Sequence, residues 1–283
     1  MTNAGEMLKA VHSGNLTKVN DLLGAGVHPD EVGVATPLYF AAQAGNLDIA
    51  AVLITHGADV NALSQWGTPL HIAARRGHSS IARLLLENGA NPNAIGGDYD
   101  HTPMHEAAYR GAVEVGELLI EHGGDIIARS RWFEPPIHFA AKKGRNEFVE
   151  LLHASGWAPM LVEPIATELS NADLDFGREV AFDCMICHKL HEDQEFSASE
   201  IPGPDLWGVV GRSVASLDNF DYSEQMKAQG GSWTYERLNA YIADPAGFIP
   251  GVLMFRGGQQ DRDRRIALIA YLRTLSDDPV PLP

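Results

Sequence analysis

The sequence predicts an all-α protein of two unlike parts: a solenoid of five stacked helix pairs over roughly residues 4–160 and a helical domain over residues 172–283, with a linker at 161–171 between them. Three observations carry this reading. A motif recurs through the first half at a period near 33 residues; the period stops after Trp157; and the second half reads as helix, with no strand pattern around its most distinctive stretch, CMICH. At 283 residues the chain is too long for one small domain and suits two.

The repeats justify the first part in chain order. ATPLYFAAQAGNLDIAAVLITHGADVNA, GTPLHIAARRGHSSIARLLLENGANPNA, HTPMHEAAYRGAVEVGELLIEHGGDIIA and EPPIHFAAKKGRNEFVELLHASGWAP share one frame. In it Thr36, Thr68, Thr102 and Pro135 are equivalent and lie 32, 34 and 33 residues apart. The earlier MLKAVHSGNLTKVNDLLGAGVHPD fits the frame without the Thr-Pro opening and with more polar positions, as a terminal capping repeat does. In each full repeat Thr caps a helix and Pro takes the first helical position, where its missing N–H costs nothing. Alanine pairs such as Ala73-Ala74 and Ala107-Ala108 allow close helix approach, and the glycine after them ends the helix. Leu84 to Leu86, or Leu118 to Ile120, give the second helix its core face. No single repeat buries that face alone, so stacking is the fold.

A period near 33 with TPLHxA resembles the ankyrin-repeat family over the whole first half, and the resemblance implies protein binding rather than catalysis. His71, His105 and His138 stand at the histidine of that motif and read as hydrogen-bonded structural residues. The hairpin tips are more informative. Trp66, Tyr99 and Trp132 fall at equivalent tips of consecutive repeats, where family members normally face solvent. Large aromatics dominate interface hot spots, so these three are the candidate partner-binding residues, gripping a protein partner or the chain's own second half.

The linker begins in APMLVEPIATELSNADLD, with two prolines. Its Met160, Leu161, Val162 and Ile165 are expected to cover the end of the last repeat, which otherwise finishes without a polar cap.

CMICH holds both cysteines of the chain, Cys184 and Cys187, closed by His188. Two thiols at this spacing suit a redox dithiol, half of a zinc site or a haem attachment site. A thioredoxin-like dithiol needs a βαβ pattern that is absent here. A zinc cage would have to draw on His188 and His191, a poor tetrahedral set directly after CxxC. The trailing histidine is what the third reading requires.

Downstream come GPDLWGVVGR, YSEQMK, GGSWTYERLNAYIADP, IPGVLMF and RRIALIAYLRTLS, in that order. This succession resembles class I cytochrome c from near Ala172 to near Ser276. The resemblance implies one haem c, joined through Cys184 and Cys187 and ligated by His188 and Met254. It further implies that the Pro204 carbonyl orients His188, that Arg212, Tyr222 and Trp233 lie around the propionates, and that Tyr241 lies near the Met254 sulfur. Gly177 and Tyr271 match the contact between first and last helices. Two departures stand out. Val252 and Leu253 replace the Thr-Lys of PGTKM relatives, making the rim more apolar, and HEDQEF lengthens the loop after His188, so that His191 could bind iron only in a misligated state.

Charge narrows the partners. The chain has 21 Lys plus Arg against 37 Asp plus Glu, a net −16, which argues against nucleic acid or anionic membrane as a non-specific partner. Residues 163–283 alone carry 20 acids against 10 bases, so a redox partner is expected to present a basic or apolar surface. No run of eighteen apolar residues appears, so membrane insertion is not expected, and MTNAGEMLKAVHSGN lacks the pattern of a secretion signal. Because thioether attachment of haem belongs to the far side of a membrane, the expected location is the periplasm, with the signal removed. The expected function is electron carriage with the ankyrin array as docking module. A peroxidase-like enzyme, from which Met254 would have to dissociate, and a redox-sensing scaffold are the alternatives.

Overall fold

The computed structural model describes residues 3–30, 34–190, 203–252 and 258–283. His191 and Met254 lie outside the described residues, as does most of the lengthened loop. The chain divides into two compact units, Met1–Trp157 and Ala158–Pro283.

The first unit is five helix pairs: α1 (Asn3–His12) and α2 (Leu16–Gly24), α3 (Pro37–Ala44) and α4 (Leu47–Thr55), α5 (Pro69–Arg76) and α6 (Ser79–Glu87), α7 (Pro103–Arg110) and α8 (Val113–Glu121), α9 (Pro136–Lys142) and α10 (Asn146–Ala154). The helices begin as the frame dictates. Thr36, Thr68 and Thr102 are extended N-caps followed by proline, and Gly45, Gly77 and Gly111 end the inner helices in the left-handed conformation at φ 80°, 76° and 78°. Inner helices pack side by side, α3 on α5 on α7 on α9, around the buried Leu38, Leu70, Met104 and Ile137. Phe148 and Leu152 of α10 close the stack, fully buried.

The motif histidines join one repeat to the next. His71 Nδ1 accepts from the Thr68 amide at 3.1 Å while its Nε2 lies 2.9 Å from the His101 carbonyl. His105 does the same between Thr102 and the Glu134 carbonyl, 3.0 Å away. A carbonyl only accepts, so Nε2 carries the proton and both rings are neutral. Between them sits Glu106, buried, bonded by Arg75 at 2.7 Å and by His101 at 3.1 Å. Burial raises the pKa of Glu106, but the hydrogen bond from His101 and the charge of Arg75 outweigh it and hold the carboxyl below its ordinary value.

The second unit contains a 3₁₀ turn at Ala166–Asn171, α11 (Leu174–Ala181), a 3₁₀ turn at Cys184–Ile186, then α12 (Glu224–Lys227), α13 (Tyr235–Ala243), α14 (Pro245–Phe248) and α15 (Arg262–Thr274). Its framework is the crossing of α11 and α15 at Gly177, where a side chain would strike the Ala267 carbonyl and come within 2.8 Å of Tyr271 Cβ. The segment expected to be a linker divides differently. Leu161 is 98% exposed, whereas Ile165 is fully buried in the core of the second unit. The backbone explains this. Amides of Ile165 and Ala166 donate to the Glu236 carboxylate, and Asn239 donates to the Glu163 carbonyl at 2.9 Å. Residues 163–171 therefore pack with the second unit. Asn239 is in turn bonded by the buried Arg265, whose guanidinium also holds the carbonyls of Gln259 and Gln260.

Burial lowers the pKa of His71 and pushes that of His105 down to about 3 from an unfolded value of 6.5. The unfolded chain binds protons that the fold excludes, so the stability this confers is complete above pH 6.5 and is lost as pH falls toward 3. Hydrogen exchange of α7 amides measured between pH 7 and 4, corrected for intrinsic rates, is expected to show protection falling with pH; constant protection would refute the buried neutral histidines.

Candidate haem site

The second unit assembles its site around one turn. Asp173 caps α11 by accepting from the Phe176 amide at 3.0 Å, and the helix leads directly into the cysteines. The amides of Cys187 and His188 both bond to the Cys184 carbonyl, at 3.1 and 2.9 Å, so a single turn gathers the two thiols and the imidazole. Both cysteines are half-buried, like His188.

His188 is oriented from the opposite loop. Its Nδ1 donates to the Pro204 carbonyl at 2.6 Å, and the Gly203 amide donates to the Cys187 carbonyl at 2.9 Å. Because the carbonyl can only accept, Nδ1 carries the proton and Nε2 keeps a lone pair. Burial lowers the pKa of His188 despite that hydrogen bond, which keeps the ring neutral. Gly203 is required by the close approach: a Cβ there would fall 2.6 Å from Nδ1 and 2.8 Å from the Cys187 carbonyl oxygen.

The other predicted residues follow from that loop to α13, which carries Tyr241. Arg212 donates to the carbonyls of Asp205 and Trp207, at 2.6 and 2.9 Å, bracing the segment that carries Pro204. Its own carbonyl accepts from the Trp233 amide at 2.9 Å, and the Gly211 amide donates to the Trp233 carbonyl, so the two residues are adjacent. The Trp233 ring meets Tyr241 at 5.0 Å between centroids, and the Arg237 guanidinium lies 5.6 Å from the centroid of the same ring. Tyr222 is buried and packs edge-on to Phe220 at 4.8 Å. Burial raises the phenol pKa of Tyr222 and Tyr241 and lowers that of Arg212. Cys184, Cys187, His188, Pro204, Arg212, Tyr222, Trp233 and Tyr241 thus share one unit; Met254 is not among the described residues. The sequence pattern does not disclose the bracing role of Arg212 or the steric role of Gly203, although the Gly-Pro pair of GPDLWGVVGR signals the second.

Two thiols and a neutral imidazole with its proton held away from the lone pair suit covalent haem attachment and iron ligation, and the apolar surroundings of Trp207, Met226, Tyr241 and Val252 suit a porphyrin. The residues therefore fit the group. They define an all-α unit of the cytochrome c class preceded by a helix-pair array.

Comparison with known proteins agrees for each part. Residues 7–96 match the family described as ankyrin repeats (3 copies), and residues 80–120 and 104–153 match ankyrin repeats (many copies). Over the C-terminal part, a cytochrome c homolog of Bradyrhizobium diazoefficiens is 40% identical over 129 residues, covering 45% of this chain and 68% of that protein. Cytochrome c-550 of Ancylobacter novellus is 39% identical over 105 residues, 36% of this chain and 94% of that protein. A cytochrome c homolog of Rickettsia felis is 32% identical over 125 residues, covering 44% and 67%. The chain belongs to the cytochrome c family, with an ankyrin-repeat array fused ahead of the cytochrome domain.

Replacing Gly203 by Ala should displace the His188 ring or the Cys187 carbonyl and cost about 1 to 3 kcal/mol, the usual range for overpacking. Urea melts read by hydrogen exchange should show the loss in the second unit and none in α1–α10; an unaffected second unit would mean that the approach of Gly203 to His188 is not close.

Proposed function

We propose that this protein is a single-haem c-type cytochrome that carries electrons singly, and that its ankyrin repeats dock a redox partner. The observation that supports the cofactor most directly is the tautomer of His188, fixed by the Pro204 carbonyl with Nε2 left to bind a metal. Cys184 and Cys187 would hold the haem through thioethers, and His188 and Met254 would be the ligands of its iron. Bound there, haem supplies a one-electron iron couple, and His/Met ligation favours its reduced form.

The chain's own side chains position and insulate. Arg212 braces the carbonyls of Asp205 and Trp207, just after the Pro204 that holds the histidine ring. Arg212, Tyr222 and Trp233 would supply N–H and O–H donors to the propionates, and the apolar core of the unit would limit access of water. Thioether formation requires reduced thiols and haem delivered across a membrane, so the proposed location is the periplasm. Among the described residues no helix is long and apolar enough to cross a membrane.

The docking role has support in the hairpin tips. Trp66, Tyr99 and Trp132 are 43%, 54% and 50% exposed in consecutive repeats. Trp66 is also in ring contact with Tyr39 at 6.0 Å, which gives it a structural part as well.

Two measurements test the proposal. Acid–acetone extraction should leave the pigment on the protein, and intact mass should exceed that of the chain by one haem; Met254→Ala should keep that mass but lose the Met–iron charge-transfer band in the red. Pigment leaving with the solvent would refute the attachment, and an unchanged spectrum would assign the sixth position to another residue. For the array, Tyr99→Ala and Trp132→Ala should each weaken partner binding by about 2 kcal/mol if they are hot spots, with spectrum and melting temperature unchanged. Unaltered affinity in both variants would remove the tips from the docking surface.

A further inference from the structure

The ankyrin array sorts its charge by face. The inner helices carry Arg75 and Arg76 on α5, Arg110 on α7 and Lys142 on α9, followed by Lys143, all exposed. The single carboxylate on α3, α5, α7 and α9 is Glu106, and it is buried against Arg75 and His101. The outer helices α8 and α10 are the reverse: Glu114, Glu117, Glu121, Glu147 and Glu150 are exposed, and neither helix has a lysine or arginine.

The helix dipole does not produce this pattern. A cation in the last turn complements the negative C-terminus of any helix, and α5, α7 and α9 obey that rule while α3 has no basic residue there. The outer helices α4, α6 and α8 have the same dipole yet carry no basic residue in the last turn, and α6 and α8 end on Glu87 and Glu121. From α5 to α10 the last-turn arginines and lysines are confined to the inner helices, and Arg83, in the middle of α6, is the one Lys or Arg on an outer helix.

Position then orders them. Arg76, Arg110 and Lys143 occupy one frame position in three consecutive repeats. With α5 packed on α7 and α7 on α9, they form a row at steps of roughly 8 to 10 Å, the spacing of packed helices. Lys143 lies 4.7 Å over the Tyr109 ring of the preceding repeat, and a Cβ at Gly77 would meet the Arg110 side chain at 3.9 Å, so Lys143 and Arg110 both reach back across a repeat boundary. The aromatic tips precede the same helices at their other ends, about 12 Å away along eight residues.

We propose that this face of the array takes an acidic polypeptide segment of a partner protein, its carboxylates on the row Arg76, Arg110 and Lys143 and its apolar side chains on the tips; the proposal rests on the array being a docking module. A chain of net −16 repels such a segment on average, so the row acts as a local guide for it. The same net charge and the glutamates of α8 and α10 disfavour a nucleic acid.

The test titrates the full haem-loaded chain with a fluorescein-labelled 16-residue peptide of Glu, Leu and Trp, a matching peptide of Lys, Leu and Trp, and a single-stranded oligonucleotide. The acidic peptide should bind, more weakly as salt rises, and Arg76→Gln/Arg110→Gln/Lys143→Gln should weaken it by about tenfold or more, since removing steering charges acts on association and its salt dependence. A control with equal charge change elsewhere, Arg83→Gln/Arg178→Gln/Lys227→Gln, should change it less than twofold. Equal loss in both variants, or none in the first, would overturn the row as the contact. Preference for the basic peptide or the oligonucleotide would overturn the acidic occupant while leaving the array a docking module. Failure of all three probes to bind would overturn both.

Discussion

The hydrogen bond from His188 to the Pro204 carbonyl is the interaction on which the second unit's chemistry depends. It is short at 2.6 Å, and it selects one of two tautomers of a neutral ring. Reverse the tautomer and Nε2 becomes a donor with no lone pair to offer. Everything near it serves that one choice: the turn that brings the histidine back over Cys184, the glycine that lets the loop close on the ring, and the guanidinium of Arg212 that braces two carbonyls after Pro204. Chemically, the protein contributes little reactivity of its own here. It contributes a fixed direction.

Much of this was legible in the sequence because the constraints are local or periodic. Thr-Pro and the following glycine set the helix ends of each repeat within one frame, and the array appears where the period runs. CMICH names its own chemistry through the spacing of Cys184, Cys187 and His188, and Gly177 announces a close crossing because no other residue would need to be so small there. The segment after the last repeat was not legible. Its apolar residues fit either neighbour, and the decision was made by the carboxylate of Glu236 and the amide of Asn239, about seventy residues downstream. Hydrogen bonds to backbone atoms leave no pattern in the donor's or acceptor's own stretch. The part played by Arg212 was hidden for the same reason, since carbonyls have no sequence signature.

The charge of the chain is likewise more structured than its total. A net of −16 describes a uniformly acidic protein, yet the first unit keeps a row of cations on its inner helices and gathers glutamates on the outer ones. Composition reads only the sum. The distribution becomes visible once each residue is assigned to a helix and a face.

One position breaks the regularity of the array. Where the third and fourth repeats have His71 and His105, the second has Tyr39, a phenol whose only polar atom lies at the far end of the ring and cannot both cap its own helix and hold the carbonyl of the next repeat. What joins the second repeat to the third at this point is the ring contact of Tyr39 with Trp66. In a stack of repeats each interface adds its own coupling to the cooperativity of the whole, and this one runs through a side chain that is 43% exposed. A ligand resting on Trp66 would therefore bear directly on a contact between the second and third repeats. The tip is thus at once an exposed aromatic and part of the seam between two repeats.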